Sequence, residues 1–304
     1  MNKLLTVLGP TASGKTKYAV ELAHKFNGEI ISADSRQIYI GMDIGTGKDL
    51  EEYIINGHQI PHHLIDIINP ETDYSVYEFQ KTFHIIYNDI ISRKKVPILC
   101  GGTALYIDSI LFDYQISLGG PDLKLRNTLE NLNIKDLKKQ LLKINSSEYD
   151  PNYHISKRRL IRSIEILSNK NQSINMNLQG NKKFNNSLVV GMYVERDELL
   201  HKIQYRLNER IKTGMIEEVQ NLLNNGISPK RLHALGLEYR FISDYLIEKI
   251  DYKTMLDKLN IAINQFSKRQ MTFFRRMEKR GIEIHWLEKN DRPNFNKAIK
   301  NYLK

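Results

Sequence analysis

Cysteine is almost absent from the sequence, with Cys100 as the single example in 304 residues. One cysteine cannot close an intramolecular disulfide, and no C-x-x-C pair is present to hold zinc. Cys100 stands in the apolar run VPILCGG. We therefore expect a buried thiol that packs as a small hydrophobic residue.

Long apolar runs are absent as well, since no stretch approaches the ~18 residues that a membrane-spanning helix needs. The segment 1–3 leads directly into an amphipathic strand, so the apolar core of a signal peptide is missing. No internal repeat at solenoid periods is visible. These absences predict a globular, cytoplasmic protein with no membrane partner.

Acidic residues are outnumbered by basic ones only in the second part of the chain. Residues 1–112 contain 10 Lys and Arg against 13 Asp and Glu, whereas residues 113–304 contain 35 against 22. The net charge is therefore −3 in the first part and +13 in the second. This division indicates either a catalytic core with an added polyanion-binding surface or a lysine-rich solvated surface, and charge alone favours neither.

Apolar runs and helical periodicity alternate along the first part of the chain. The predicted strands are LLTVLG, GEIISAD, HHLIDII, VPILC and, later, SLVVGMYVE. The predicted helices between them are Gly14 to Phe26, Ser75 to Arg93 and Ala104 to Phe112. Alternation of this kind predicts an α/β fold, with a P-loop parallel-sheet core covered by helices on both faces.

The pattern changes from about residue 113 to residue 186, where charged helices and the Asn-rich stretch NKNQSINMNLQGNKKFNN replace the alternation. We interpret residues 113–186 as a helical insertion domain, with the Asn-rich stretch as a loop. Residues 1–112 and 187–304 then form the catalytic core, in which residues 196–277 are helical.

A phosphate-binding loop follows the first predicted strand. Its sequence is Gly9-Pro10-Thr11-Ala12-Ser13-Gly14-Lys15-Thr16, which fits the pattern G-x-x-x-x-G-K-[ST]. Backbone amides and the helix N-terminus attract phosphate, Lys15 adds a charge, and the Thr16 hydroxyl can bind Mg²⁺. The motif predicts a diphosphate site without identifying the base or group attached to it.

Asp34 follows the second predicted strand at the sheet edge where open α/β sheets bind ligands. A carboxylate there can hold Mg²⁺ or act as a general base, and position alone leaves both open. The next residues, Ser35, Arg36 and Gln37, can offer donors and acceptors to base edges or form a solvated loop.

Two further segments carry polar chemistry. Gly101, Gly102 and Thr103 end a strand and open a helix, which suits a ligand site or a simple helix cap. Basic clusters occur at HISKRRLIR, with Lys157, Arg158, Arg159 and Arg162, and at KRQMTFFRRMEKR over residues 268–280. Basic residues suit phosphate backbones. The interleaved Phe273 and Phe274 can pack in the core or stack on bases, and core packing is the commoner use.

Taken together, these segments resemble the tRNA dimethylallyltransferase family, also called tRNA isopentenyltransferases or IPP transferases. The landmarks run from residue 4 to residue 277 and are GPTASGKT, DSRQIYIGMDIGTGK, HHLIDIINP, PILCGGTALYI, RRLIRSIEIL, RDELLHKIQYRLNERIKTGMIEEV and SKRQMTFFRR. The resemblance implies transfer of a dimethylallyl group from dimethylallyl diphosphate to the exocyclic amine of the adenosine 3′ to the tRNA anticodon.

The resemblance also implies roles for residues. The implied catalytic residues are Asp34 as the base, Thr103, and Arg206, which contacts the diphosphate. The implied diphosphate-binding residues are those of the P-loop, Gly9, Pro10, Thr11, Ala12, Ser13, Gly14, Lys15 and Thr16. Thr16 would also bind Mg²⁺. Contacts with tRNA fall to Asp34, Ser35, Arg36, Gln37, Thr103, Arg126, Arg158, Arg159, Leu160, Ile161 and Arg162. The implied partners are the tRNA anticodon stem-loop and dimethylallyl diphosphate, and we expect a monomer.

Three segments depart from the family pattern. The usual GYKE is GLEY at residues 236–239, the usual RQYAKRQLTWFR is NQFSKRQMTFFR, and LGGPDLKLR replaces an apolar segment with proline. Two other functions compete with prenyl transfer. A small-molecule P-loop kinase would use the same loop for ATP, and a non-catalytic nucleotide-dependent RNA-binding protein would explain the charge but not Asp34.

Overall fold

The computed structural model describes residues 3–114, 122–151, 154–168, 184 and 187–304. The chain forms two compact units. Unit 1 contains Met1–Leu111 and Lys182–Lys304, and unit 2 contains Phe112–Asn181. Most of the Asn-rich stretch that we interpreted as a loop lies outside the described residues. Within the described ranges, no helix is both long and apolar enough to cross a membrane.

Unit 1 is built on a six-stranded sheet with the order β5-β2-β6-β1-β7-β8. Its strands are β1 Leu5–Leu8, β2 Gly28–Ser32, β5 His62–His63, β6 Val96–Gly101, β7 Leu188–Met192 and β8 Ile284–Leu287. Every pairing in this sheet is parallel. A short hairpin, β3 Ile54–Ile55 with β4 His58–Gln59, lies apart from it. The predicted parallel α/β fold is confirmed.

The helices of unit 1 follow the apolar periodicity of the sequence. They are α1 Lys15–Phe26, α2 Val76–Ser92, α3 Ala104–Leu111, α7 Arg196–Lys212, α8 Met215–Asn224, α9 Pro229–Leu235, α10 Leu237–Leu246, α11 Tyr252–Lys279 and α12 Arg292–Leu303. Local sequence fixes several of their ends. Ser75 and Glu78 form a capping box at α2, and the Asp251 carboxylate caps α11.

Alternate side chains of the strands enter two separate cores. On one face, Leu8 and Leu99 pack with α2, α3 and the second half of α11. On the other face, Val7 and Ile98 pack with α1 and α12, and Cys100 joins this core with a buried thiol. Strands buried on both faces explain the continuous apolar runs in the sequence.

A third core lies among helices α7 to α11. Leu207, Met215, Tyr239 and Leu259 are buried there, together with Met42 from the loop that follows β2. This helical cluster therefore packs directly against the loop that carries Asp34.

Unit 2 has its own small core. Its helices are α4 Leu123–Glu130, α5 Ile134–Ile144 and α6 Lys157–Ser168. Leucine and isoleucine side chains from all three are buried together, including Leu129, Leu137 and Leu160. These residues account for the helical pattern that begins after residue 113.

One predicted strand is shorter than expected. Only His62–His63 of HHLIDII pairs in the sheet, because the backbone turns left-handed at Leu64 and Asp66. Asp66, at one of these turns, forms an ion pair with the buried Lys48. The pairing of β8 beside β7 and the helix α12 were not anticipated from the sequence.

The buried Glu29 carboxylate links neighbouring side chains near the edge of this sheet. Glu29 on β2 accepts hydrogen bonds from Arg93 at 2.8 Å and from His63 at 2.9 Å. These bonds, with that from Arg93 the strongest, lower the pKa of Glu29 to about 2. Its contribution to stability is therefore complete above its unfolded pKa near 4.5 and is lost as the pH falls towards 2.

We expect Glu29→Gln to lower the free energy of unfolding by about 1.5 kcal/mol at pH 7, as is typical for hydrogen bonds to charged groups. The difference from the parent chain should shrink between pH 4.5 and pH 2, because Glu29 then becomes protonated in both folded and unfolded states. Urea unfolding at several pH values measures this effect, with Glu21→Gln on α1 as the control. A loss of stability that does not change with pH would contradict it.

Candidate functional site

A large cavity of about 960 Å³ opens at the carboxyl ends of three neighbouring strands of unit 1. The sheet order sets β6 between β2 and β1, so the loops after these strands lie side by side. They carry the P-loop after β1, Asp34 after β2, and Gly102 with Thr103 after β6. The opposite wall comes from α7, the first turn of α10 and one face of α11.

The P-loop joins β1 to α1, as the motif predicted. The Ser13 amide donates to the Pro10 carbonyl at 3.3 Å, which closes the turn. Amides in the first turn of a helix have no acceptor within the helix, so those of Lys15 and Thr16 are available to a ligand. The loop therefore presents an anion-binding surface to the cavity.

Lys15 lies at the floor of the cavity next to the buried Cys100. Burial lowers the pKa of the Lys15 ammonium, while the neighbouring Cys100 and Asp34 oppose that change. Burial also raises the pKa of Cys100 to about 12, so its thiol stays protonated at neutral pH. Cys100 is thus a packing residue. For Lys15, an anion bound at the P-loop would favour the charged form of the side chain.

Two glycines let the strand end approach its neighbours closely. A Cβ on Gly101 would lie 2.2 Å from the Ala33 carbonyl oxygen, which is backbone and cannot move aside. A Cβ on Gly102 would lie 2.5 Å from Nε2 of Gln270 and 3.5 Å from Cε of Lys15. Close packing against the Ala33 backbone therefore requires Gly101, whereas the constraint on Gly102 is the Gln270 side chain.

Asp34 and Thr103 lie on adjacent loops of the cavity. Oδ1 of Asp34 accepts a hydrogen bond from the Arg36 amide at 2.9 Å. Oγ1 of Thr103 accepts one from the Ser35 amide at 2.9 Å, and the Thr103 amide donates to the Ala33 carbonyl at 3.0 Å. Across the part of the chain that the structure describes, the second carboxylate oxygen of Asp34 accepts no hydrogen bond.

Gln37 also lines the cavity, but its side chain is buried and holds the loop together. Its Nε2 donates to the Gly47 carbonyl at 2.8 Å, and its Oε1 accepts from the Ser32 hydroxyl at 3.3 Å. In this structure the amide that we considered for base recognition is therefore engaged within the protein.

The buried Lys48 and the half-buried Glu218 fix the rest of this loop. Lys48 is 1% exposed and donates to the Tyr39 carbonyl and the Asp43 carboxylate. The Glu218 carboxylate accepts hydrogen bonds from three consecutive backbone amides, those of residues 43–45, at 2.7–3.0 Å. The Tyr239 hydroxyl donates to the same carboxylate at 2.7 Å. These contacts hold the loop after β2 against the rest of the protein.

Arg206 and Arg210 project from α7 into the cavity, and both pair with Asp49. The separations from Oδ2 of Asp49 are 3.5 Å for Arg206 and 3.0 Å for Arg210. Burial lowers the pKa of Arg206 to about 10, and the adjacent Arg210 acts in the same direction. Arg206 is still charged at neutral pH, so the pair brings concentrated positive charge to the wall facing the P-loop.

Carboxylates balance this charge. Burial raises the pKa of Glu238, and the Arg210 and Arg206 guanidinium groups oppose the rise. Burial likewise raises the pKa of Glu52, with Asp49 adding to it. The cavity therefore combines an anion-binding loop, two arginines and several acids at one sheet edge.

Comparison with known protein families identifies the family of this chain. The IPP transferase family model matches residues 37–277, and an isopentenyl transferase model matches residues 2–60. The chain belongs to the IPP transferase family. The resemblance seen in the sequence landmarks is therefore confirmed.

Relatives support the same membership. The chain is 46% identical to tRNA dimethylallyltransferase 1 of Azobacteroides pseudotrichonymphae, covering 98% of this chain and 96% of the relative. It is 43% identical to tRNA dimethylallyltransferase 1 of Syntrophus aciditrophicus, covering 100% and 99%. The crystal structure of the full-length tRNA isopentenylpyrophosphate transferase from Bacillus halodurans aligns over 100% of this chain and 97% of its own, with a TM-score of 0.72 and 30% identity.

The predicted tRNA contacts of this IPP transferase fall in both units. In unit 2, the guanidinium of Arg126 forms two hydrogen bonds of 2.9 Å with the Glu165 carboxylate. Arg158 and Arg159 are exposed on α6. The side chains of Leu160 and Ile161 lie in the core of unit 2. Arg162 is half-buried and also pairs with Glu165, at 3.4 Å.

The basic segment 268–280 forms the second half of α11. Phe274 is fully buried in the core, as expected for most phenylalanines. Phe273 lines the cavity instead, with the Arg276 guanidinium 4.2 Å from its ring centroid. Arg269 lines the cavity as well. Core packing is therefore confirmed for Phe274, whereas stacking of Phe273 on a base stays a prediction.

Several cavity residues of the IPP transferase were not singled out in the sequence. They are Asp49, Glu52, Arg210, Glu238 and Gln270. Arg210 stands four residues after Arg206 on α7, so helical spacing could have paired them. Glu238 lies in the GLEY departure and was noted only as a sequence difference. Gln270 lies within the basic segment, and no local signal distinguishes it from a surface residue.

Proposed function

We propose that this chain transfers the dimethylallyl group of dimethylallyl diphosphate to the exocyclic amine of the adenosine 3′ to the anticodon in tRNA, releasing diphosphate. The observation that carries the proposal is the placement of Asp34 and Thr103 beside the P-loop at one sheet edge. An anion cradle, a carboxylate with one free oxygen and an arginine pair are what this reaction requires.

Departure of the diphosphate is the first chemical demand. As the bond between the allylic carbon and the diphosphate oxygen breaks, its electron pair moves to the diphosphate, which gains negative charge. The amides of the P-loop, Lys15 and Arg206 stabilise charge where it develops. The low-dielectric setting that lowers the pKa values of Lys15 and Arg206 also strengthens this stabilisation.

Activation of the amine is the second demand. The adenosine nitrogen attacks the allylic carbon, and its proton goes to the free oxygen of Asp34 during or after attack. Thr103, held by the Ser35 amide, lies next to this carboxylate and can orient the base. The adenosine must leave its stack to reach the cavity, which has room for a nucleoside beside the diphosphate.

Magnesium fits the residues of the cavity. Within the described ranges no cluster of three or more His, Cys, Asp or Glu could hold a metal by itself. Mg²⁺ often binds through one or two protein oxygens together with substrate phosphates, so Thr16 with the diphosphate would suffice. When bound, the ion would neutralise charge on the leaving diphosphate.

The stem-loop would be held by the basic residues of unit 2, with Arg126, Arg158, Arg159 and Arg162 among them, and by the segment 268–280. Ser35 and Arg36 would contact the extruded adenosine. The polypeptide would act as a monomer in the cytoplasm.

The test supplies the purified protein with labelled dimethylallyl diphosphate, Mg²⁺ and an anticodon stem-loop. We expect label in the RNA when adenosine follows the anticodon and none when inosine replaces it, because inosine lacks the amine. A parallel reaction contains ATP in place of the prenyl donor. Phosphoryl transfer or ATP turnover without label in RNA would favour the small-molecule kinase instead.

A further inference from the structure

We propose that Gln270 is a positioning residue that holds the P-loop and the Thr103 loop at a fixed separation. This inference rests on the function proposed above. Oε1 of Gln270 accepts a hydrogen bond from the Thr11 amide at 2.9 Å, and its Nε2 donates to the Gly102 carbonyl at 2.8 Å. One side chain therefore bridges the loop that binds diphosphate and the loop that precedes Thr103.

The two hydrogen bonds require an amide. The Thr11 amide can only donate and the Gly102 carbonyl can only accept, so the bridging side chain must present an acceptor and a donor together. A carboxylate lacks the donor, and a methionine of similar length lacks both. Gln270 is 5% exposed, so a lost partner there could not be replaced readily by bulk water.

The bridge starts from a rigid element. One turn before it on α11, the Ser267 hydroxyl is fully buried and accepts a hydrogen bond from Arg196 at 3.0 Å. One turn after it, Phe274 is fully buried in the core beside the sheet. Gln270 is therefore fixed on the side of α11 that faces the cavity, and its amide sets the position of both loops.

Gly102 makes room for the bridge. A Cβ at this position would lie 2.5 Å from Nε2 of Gln270, nearer than carbon and nitrogen can approach. The backbone of Gly102 does not adopt the left-handed region, so alanine is conformationally allowed there. Alanine would displace the far end of Gln270 and break the same bridge from the other side.

The bridge also defines which amides serve the ligand. Pro10 has no N–H, the Thr11 amide is held by Gln270, and the Ser13 amide donates to the Pro10 carbonyl. The anion-binding surface therefore consists of the remaining amides, those of Ala12, Gly14, Lys15 and Thr16. Gln270 thus acts on the geometry between diphosphate and Thr103 and leaves the anion-binding amides untouched. We expect its loss to affect turnover more than anion affinity.

The experiment compares Gln270→Met with Gln80→Met. Gln80 on α2 is similarly buried and donates to the Ser109 carbonyl at 3.1 Å, but it lies outside the cavity. We expect Gln270→Met to lower kcat for prenyl transfer by about 10- to 100-fold, as loosened alignment does. Affinity for inorganic pyrophosphate should change by no more than about twofold, and the Gln80 variant should keep the parent kcat.

Amide exchange gives a readout that does not depend on activity. In Gln270→Met the Thr11 amide should exchange about fivefold faster or more, reflecting one lost hydrogen bond. If the parent protein transfers no prenyl group, the proposed function fails, while Thr11 exchange still reports on the bridge. Unchanged Thr11 exchange in the variant would show that no bridge exists.

A double-mutant cycle completes the test. Gly102→Ala should lower kcat to a similar extent as Gln270→Met, and the combined variant should be less than about threefold worse than either alone. Effects that multiply would show that the two residues act separately and would overturn the proposal. So would a parent-like kcat in Gln270→Met alongside faster Thr11 exchange.

Discussion

Asp34→Asn is expected to lower turnover in prenyl transfer by ~10²-fold or more, the usual loss when a general base is removed. Asparagine keeps the carbonyl oxygen that accepts the Arg36 amide, so the loop conformation should survive. Its other group is an NH₂ that cannot take a proton from the adenosine amine. Steady-state kinetics with the stem-loop, together with its dissociation constant, measure the two effects separately.

The matched control for this change is Asp257→Asn, since Asp257 is exposed on α11 and does not line the cavity. It should keep the parent turnover. Stem-loop affinity should stay near the parent value in both variants. Equal turnover in Asp34→Asn and the parent chain would show that Asp34 is not the base, and a large loss of RNA affinity would instead make it a binding residue.

Lys15→Met is expected to lower turnover by roughly 10²- to 10³-fold, in line with the removal of one charge-stabilising group from a transition state. Methionine fills the buried space beside Cys100 but supplies no charge to the leaving diphosphate. Affinity for inorganic pyrophosphate should fall as well, because the product carries the charge that Lys15 meets. Single-turnover rates and calorimetric titration with pyrophosphate measure these losses.

Lys17→Met provides the comparison, since Lys17 lies two residues further along α1 with an exposed side chain. Loss of one positive charge from the same helix is common to both variants, but only Lys15 faces the cavity. Similar losses in the two variants would mean that general charge, and not contact with the diphosphate, supports the reaction.

The sequence was sufficient for strands β1, β2, β6 and β7 and for the loops at the carboxyl edge of the sheet, because local patterns determine both. Strands buried on both faces appear in the sequence as apolar runs, and glycines such as those of the P-loop and Gly101-Gly102 indicate turns. Asp34 could be placed at the site because strand ends of a parallel sheet share one edge. Membership of the IPP transferase family followed from the order of such segments.

Other parts of the site depend on contacts between distant residues, which no local pattern reveals. Asp66 lies outside the strand and forms an ion pair with Lys48, which is 18 residues earlier in the sequence. Gln270 reaches the Thr11 amide across 259 residues of sequence. The β8 strand is short and half-buried, so its alternation was too weak to distinguish it from the loops around it.

The Glu218 carboxylate, with its three amide donors from residues 43–45, has a consequence for binding kinetics. The loop that carries Asp34 loses its conformational entropy when the chain folds, so RNA does not have to order it on arrival. Encounter with the stem-loop should then depend on diffusion and on the charge of unit 2, with little delay for loop closure. Binding rates would accordingly fall with added salt and fall in inverse proportion to solvent viscosity, as a diffusion-controlled encounter does.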